Sequence, residues 1–246
     1  GRVVSQLPML VFMVSKIIVV LQTSLDVTCK WNKPTSLTPW LIACRGPRAV
    51  SDSESQLIDL AAACDKDPEK WARMAFDWGH GELADYSGPR EWQTEAFEEI
   101  RDHLSNPKTR FQPLMLARAS GHGIGKSAFI GMVSNWALST CDDCKVVVTA
   151  NTDTQLRTKT SPEIGKWARL SITNHWFEPN AASIASRDKA HAKTWRADFV
   201  PWSEHNTEAF AGLHNKGKRI VLIFDEASAI SDKVWEVAEG ALTDED

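Results

Sequence analysis

Residues 117–131 read ARASGHGIGKSAFIG, three glycines then a lysine and a serine, set between two apolar runs. Glycines in succession let the backbone take positive φ and approach a ligand closely, so that N–H groups and a following helix N-terminus face an anion. Lys126 can then reach β/γ-phosphates, and the Ser127 hydroxyl can hold Mg²⁺. The pattern G-x-x-x-x-G-K-[ST] fits with one departure, since Ser120 stands where the first glycine belongs and extra glycines fall at 121 and 123. The phosphate-contacting stretch is thus Ser120, Gly121, His122, Gly123, Ile124, Gly125, Lys126 and Ser127. A glycine turn before an ordinary helix is the bland alternative, and placement between a strand and a helix argues against it. The spacing also differs from a dinucleotide fingerprint, because no ribose-binding acid follows the next strand.

A second constellation supplies acids. In IVLIFDE five apolar residues bury a strand, and Asp225 and Glu226 emerge at its C-terminal end, where ligands sit in open α/β sheets. Asp225 would hold the metal, directly or through water, and Glu226 would polarise an attacking water. Two acids capping a helix would be commonplace alone, but a phosphate loop upstream makes them a hydrolytic pair. These residues read as a nucleotide-hydrolysing centre.

Such a centre needs a sheet to carry it, and the remaining sequence provides one. With 246 residues, 43% hydrophobic and 24% charged, the chain can bury a globular core. A net charge of −4 excludes a polycation that coats nucleic acid wholesale. Residues 151–219 carry eleven Lys/Arg against seven Asp/Glu, a modest excess that fits a solvated face. Five cysteines are too few and too irregular for a disulfide framework, and the Cys141–Cys144 pair has no second pair to complete a zinc site, so the thiols read as reduced residues in a turn. His205 and His214 lack metal-ligand spacing.

The stretch LPMLVFMVSKIIVVL, residues 7–21, is shorter than the roughly 20 residues that span a bilayer and is interrupted by Ser15 and Lys16. With the prolines at 34, 39 and 47 behind it, residues 1–52 read as an atypical leader and irregular segment, not a membrane anchor. Residues 53–88 form a helical N-terminal segment, with Ser53 or Ser55 capping one helix and Asp67–Pro68 opening the next. Apolar positions 92, 96, 97, 100 and 104 give a helix over 91–104. Thereafter strand FQPLMLA, the glycine loop, helix KSAFIGMVSNWALS, strand KVVVTA, a helix broken near Pro162, strand RIVLIFDEA and a helix capped by Ser231 alternate. That alternation predicts a parallel sheet with helices on both faces, an ASCE-type P-loop NTPase domain over 89–246. Trp136, Trp167, Trp176 and Trp235 are expected to pack between helices.

Over residues 76–246 the chain resembles the ATPase part of the tailed-phage terminase large subunit. WGHGELADYSGPREWQ is similar to the family's adenine motif, RASGHGIGKS to its variant Walker A loop, and VVVTANTDTQLRTKT to the strand and helix that follow. TEAFAGLHNKGKRIVLIFDEASAISDKVWEVAEGALTD resembles the segment through Walker B and beyond. The resemblance implies ATP and Mg²⁺ as cofactors, with Trp92 and Gln93 on the base. It implies an arginine acting in trans from the loop before Walker B, for which Arg219 is the candidate. His122 stands where many relatives place a cis arginine, and Arg118 is the nearest substitute. Double-stranded viral DNA, a portal protein, a small terminase subunit and a homo-oligomeric ring are the implied partners, in the cytoplasm of an infected bacterial host and transiently on the procapsid. A coupling motif and a nuclease domain would lie beyond residue 246. The rival readings are a superfamily-2 helicase-like ATPase fragment, disfavoured by DEAS at 225–228, and a nucleotide-binding switch module without turnover, disfavoured by the intact Lys126, Ser127, Asp225 and Glu226.

Overall fold

In a computed structural model the described residues are 15–22, 52–120, 123–150, 152–201 and 218–226. Strand β1 is Ser15–Gln22, followed by helices α1 (Asp52–Ala62), α2 (Pro68–Ala75) and α3 (Glu91–Ser105). Next come β2 (Leu114–Ser120), α4 (Lys126–Thr140) and β3 (Lys145–Ala150). A helical turn Asp153–Gln155 and a π-turn Leu156–Thr160 lead into α5 (Ser161–Leu170). Strands β4 (Phe177–Pro179), β5 (Ser183–Ser186), β6 (Arg196–Phe199) and β7 (Ile220–Asp225) complete the described chain.

The seven strands make one sheet in the order β2-β1-β7-β3-β6-β5-β4. β7, β3 and β6 are parallel neighbours, and β1 runs antiparallel to both β2 and β7, so β2 shares their direction. β4, β5 and β6 form an antiparallel meander at one edge. The sheet is therefore mixed, not wholly parallel as the alternation alone suggests.

β1 also corrects the reading of residues 1–52 as leader throughout. Val19, Val20 and Leu21 are 1–2% exposed, between β2 and β7. A strand buried on both faces is a continuous apolar run, which periodicity cannot tell from a leader core. The rest of that segment, the Ser231 helix, Trp235, His205 and His214 lie outside the described residues.

Helix α4 has no polar stripe because it has no wet side. Every residue from Phe129 to Thr140 is buried, so the helix is the pillar of the core. Gly131 is where α5 crosses it, since a Cβ there would stand 2.4 Å from Cδ1 of Trp167. The N-terminal helices are fastened to this pillar through tryptophan N–H groups. Trp71 donates to Asn135 Oδ1 at 2.9 Å, and Trp136 donates back to the Cys64 carbonyl at 2.9 Å. Pro68 opens α2 with Asp67 accepting the Lys70 N–H, as expected of an Asp-Pro start. Trp136, Trp167 and Trp176 are buried. Cys64, Cys141 and Cys144 are buried and form no disulfide.

α3 buries Gln93, Ala96, Phe97, Ile100 and Leu104. The expected stripe is present except at its start, where Gln93 turns inward and Trp92 stays partly buried. That shift of one position shapes the site.

Candidate nucleotide site

The C-terminal ends of β2 and β7 and the N-terminus of α4 open on a cavity of about 460 Å³. Lys126, Ser127, Asp225 and Glu226 all line it, so the loop and the acid pair meet although nearly a hundred residues separate them in sequence. A second wall comes from the helical stretch after β3, through Gln155, Lys159, Glu163 and Lys166. The far wall is largely apolar, with Trp78, Leu83, Tyr86, Met132 and Trp167.

Gly123 and Gly125 sit at φ +77° and +87°, a conformation that favours glycine. Gly125 caps α4 without a side-chain hydrogen bond, so the first-turn N–H groups are directed at the cavity mouth. The carbonyls of this loop are held from behind by the start of α3. Arg90 Nη1 donates to the Gly123 carbonyl at 3.4 Å, Trp92 Nε1 to Ile124 at 3.0 Å, and Gln93 Nε2 to Gly125 at 2.7 Å. Three consecutive carbonyls are thus turned away from the cavity. Gly121 and His122 lie outside the described residues, as does the Ser120 side chain.

This grip gives Trp92 and Gln93 contacts other than the base expected of them. The Trp92 ring packs on Phe129, 5.2 Å between centroids, and is absent from the cavity lining. Gln93 borders the cavity, but its Oε1 accepts the Arg90 N–H at 2.8 Å while its amide nitrogen serves Gly125. Both ends of the Gln93 amide are thus engaged within the chain.

Asp225 is 6% exposed at the end of β7, and its Oδ2 accepts a hydrogen bond from Thr160 Oγ1 at 2.6 Å. Burial pushes its carboxyl above the ordinary value, opposed by the Thr160 hydrogen bond and by the Lys126 charge, with Glu226 adding to the rise. Glu226 stands at φ +56°, a left-handed conformation costly for a side-chain-bearing residue and found where function dictates geometry. The hard oxygen donors Ser127 and Asp225 on one cavity wall match Mg²⁺, which binds through a few such groups and keeps water on the rest.

Arg219 makes its contacts within its own chain. It precedes β7, at the strand end opposite Asp225, and is 3% exposed. Its guanidinium donates to Thr140 Oγ1 at 3.0 Å and to the Asp65 carbonyl at 2.5 Å, and lies 4.3 Å from the Trp136 ring centroid. In this arrangement the guanidinium faces its own core. Arg118 is likewise engaged, pairing with Glu99 at 2.6 Å and not lining the cavity.

Two residues went unread in the sequence. Thr160 looks like one more polar residue in TKTSP, and nothing local marks it as a partner of Asp225. Lys159 carried a charge that the sequence reading placed on a solvated face. Its helical register with Gln155 would have put both on one side.

The fold is that of an α/β P-loop NTPase domain. The chain resembles the terminase large subunit: it is 24% identical over 194 residues to the probable terminase, large subunit, of Enterobacteria phage P7, an alignment covering 76% of this chain and 37% of that protein. The chain thus spans well under half the length of this relative. Residues 119–238 also match the family described as RNA cytidine acetyltransferase NAT10/TcmA, helicase domain. No solved structure matches the chain significantly. Among the described residues no helix is long and apolar enough to cross a membrane.

Proposed function

We propose that the chain is the ATP-hydrolysing part of a phage DNA-packaging motor. The observation that carries this reading is the meeting of Lys126, Ser127, Asp225 and Glu226 in one cavity at the strand ends. The α4 N-terminus and Lys126 bind the phosphates, and Lys126 offsets charge that builds on the transferred phosphoryl group. Ser127 and Asp225 would hold Mg²⁺, which would supply positive charge to offset that of the phosphates. Glu226 orients the attacking water and accepts its proton. The base lies toward Trp78 and Tyr86, whose aromatic faces suit a planar ring, with the aliphatic Leu83 beside them.

The likeness to a terminase large subunit supports the finer assignment: translocation of double-stranded viral DNA into a procapsid, in a homo-oligomeric ring with portal and small-subunit partners, in the cytoplasm of the infected host. The helicase-domain match over 119–238 favours one second reading, a helicase-like ATPase. Lys126→Ala tests the shared core. ATP turnover by the purified chain should become undetectable, and retention of most of it would remove the loop from the chemistry. DNA-stimulated turnover without strand separation is expected of a packaging motor, whereas unwinding of a tailed duplex would select the helicase.

A further inference from the structure

Thr160 is fully buried at the end of the π-turn Leu156–Thr160, and its hydroxyl points at the sheet instead of back along its helix. A helical threonine commonly bonds the carbonyl four residues earlier, as Thr158 does to Thr154 at 2.7 Å. For Thr160 that carbonyl is Leu156, and the π-turn has given it to the Ser161 N–H. The extra residue of a π-turn also rotates all that follows by about 100° relative to an uninterrupted helix. The result is a hydroxyl 2.6 Å from Asp225 Oδ2, with its neighbour Lys159 on the cavity wall.

We propose that Thr160 is a positioning residue that presents the Asp225 carboxylate to the metal of the bound nucleotide. The proposal rests on the Mg-nucleotide reading of the cavity. A carboxylate at a strand end can rotate, and the Lys126 ammonium is near enough to favour its charged form. Direct pairing of the two would withdraw a metal ligand and a phosphate ligand together. Donation from Thr160, with a second hydrogen bond from the Glu226 backbone, fixes the carboxylate and leaves its other lone pairs for the cavity.

The test uses the full chain with Thr160→Val and Thr160→Ser. ADP affinity is measured by calorimetry without metal, and Mn²⁺ binding to the ADP complex by electron paramagnetic resonance. Thr160→Val should leave metal-free ADP affinity within about twofold and weaken Mn²⁺ binding about tenfold or more, the scale of one hydrogen bond to a charged group. Thr160→Ser, which keeps the hydroxyl, should restore Mn²⁺ binding to within about threefold of the parent. Should the valine variant not fold, Thr160→Ala serves in its place. Unchanged Mn²⁺ binding in the valine or alanine variant overturns the proposal, and so does a serine variant as weak as they are, since packing would then be the cause. A parent chain that binds no nucleotide overturns the reading of the cavity as well, which separates the two failures.

Discussion

The two ends of β7 carry charge in opposite ways. At its start Arg219 is enclosed by Trp136, Thr140 and the Asp65 carbonyl, and it joins the α1–α2 turn to the core. At its end Asp225 and Glu226 face the cavity, one held by Thr160, the other in a left-handed backbone conformation. In sequence the two ends look alike, charges bracketing an apolar strand. The difference is direction: a parallel sheet gathers ligand sites at the C-terminal strand ends. A charge at the other end must instead be satisfied by the fold.

Three substitutions can break or sharpen this contrast. The largest effect is expected at Glu226→Gln. The amide cannot accept a proton, so turnover should fall roughly 10²–10⁴-fold while Mg·ATP still binds. Rapid-quench and equilibrium-binding measurements separate the two, and equal loss of binding would make Glu226 structural. Arg219→Met should instead cost stability. Two hydrogen bonds from a charged group and a cation–π contact are replaced by an apolar chain, a loss of about 2–3 kcal/mol in urea unfolding. Turnover per folded molecule should be unchanged, and lost turnover at full stability would return Arg219 to the chemistry.

The smallest effect concerns pH. The folded-state pKa of Asp225 is raised, so the native chain holds that proton more tightly than the unfolded chain does. Stability from this residue is present below the ordinary carboxylate range and is lost as pH rises through the raised value. Asp225→Asn should therefore melt higher than the parent at neutral pH, with the gap closing in acid. A gap independent of pH between 4 and 8 would show that burial of this carboxylate is not felt as a titration.

Most of the cavity was legible because its chemistry is local. A glycine loop before a buried helix, and an acid pair after an apolar strand, announce themselves by type and order. Pro68 at the start of α2 was legible for the same reason. What could not be read depends on partners far away in the chain. β1 is recognisable only beside β2 and β7, since its apolar run has no period. Gln93 looks like a base reader until the one-residue shift of the α3 stripe turns its amide to Gly125. Thr160 needs the π-turn, and no residue in LRTKT forces one. Arg219 was assigned by its place before the acidic strand, while its true setting is fixed by Trp136, eighty-three residues earlier.

The hold of α3 on three successive loop carbonyls has a consequence for how nucleotide enters. A glycine-rich loop free in solution samples many conformations, and ordering each residue costs about 1–2 kcal/mol of entropy. Arg90, Trp92 and Gln93 meet part of that cost when the chain folds, before any phosphate arrives. Binding then draws less on ordering the loop, and more of the contact energy is left as affinity. On the proposed reading, the backbone at 123–125 is arranged before a nucleotide arrives.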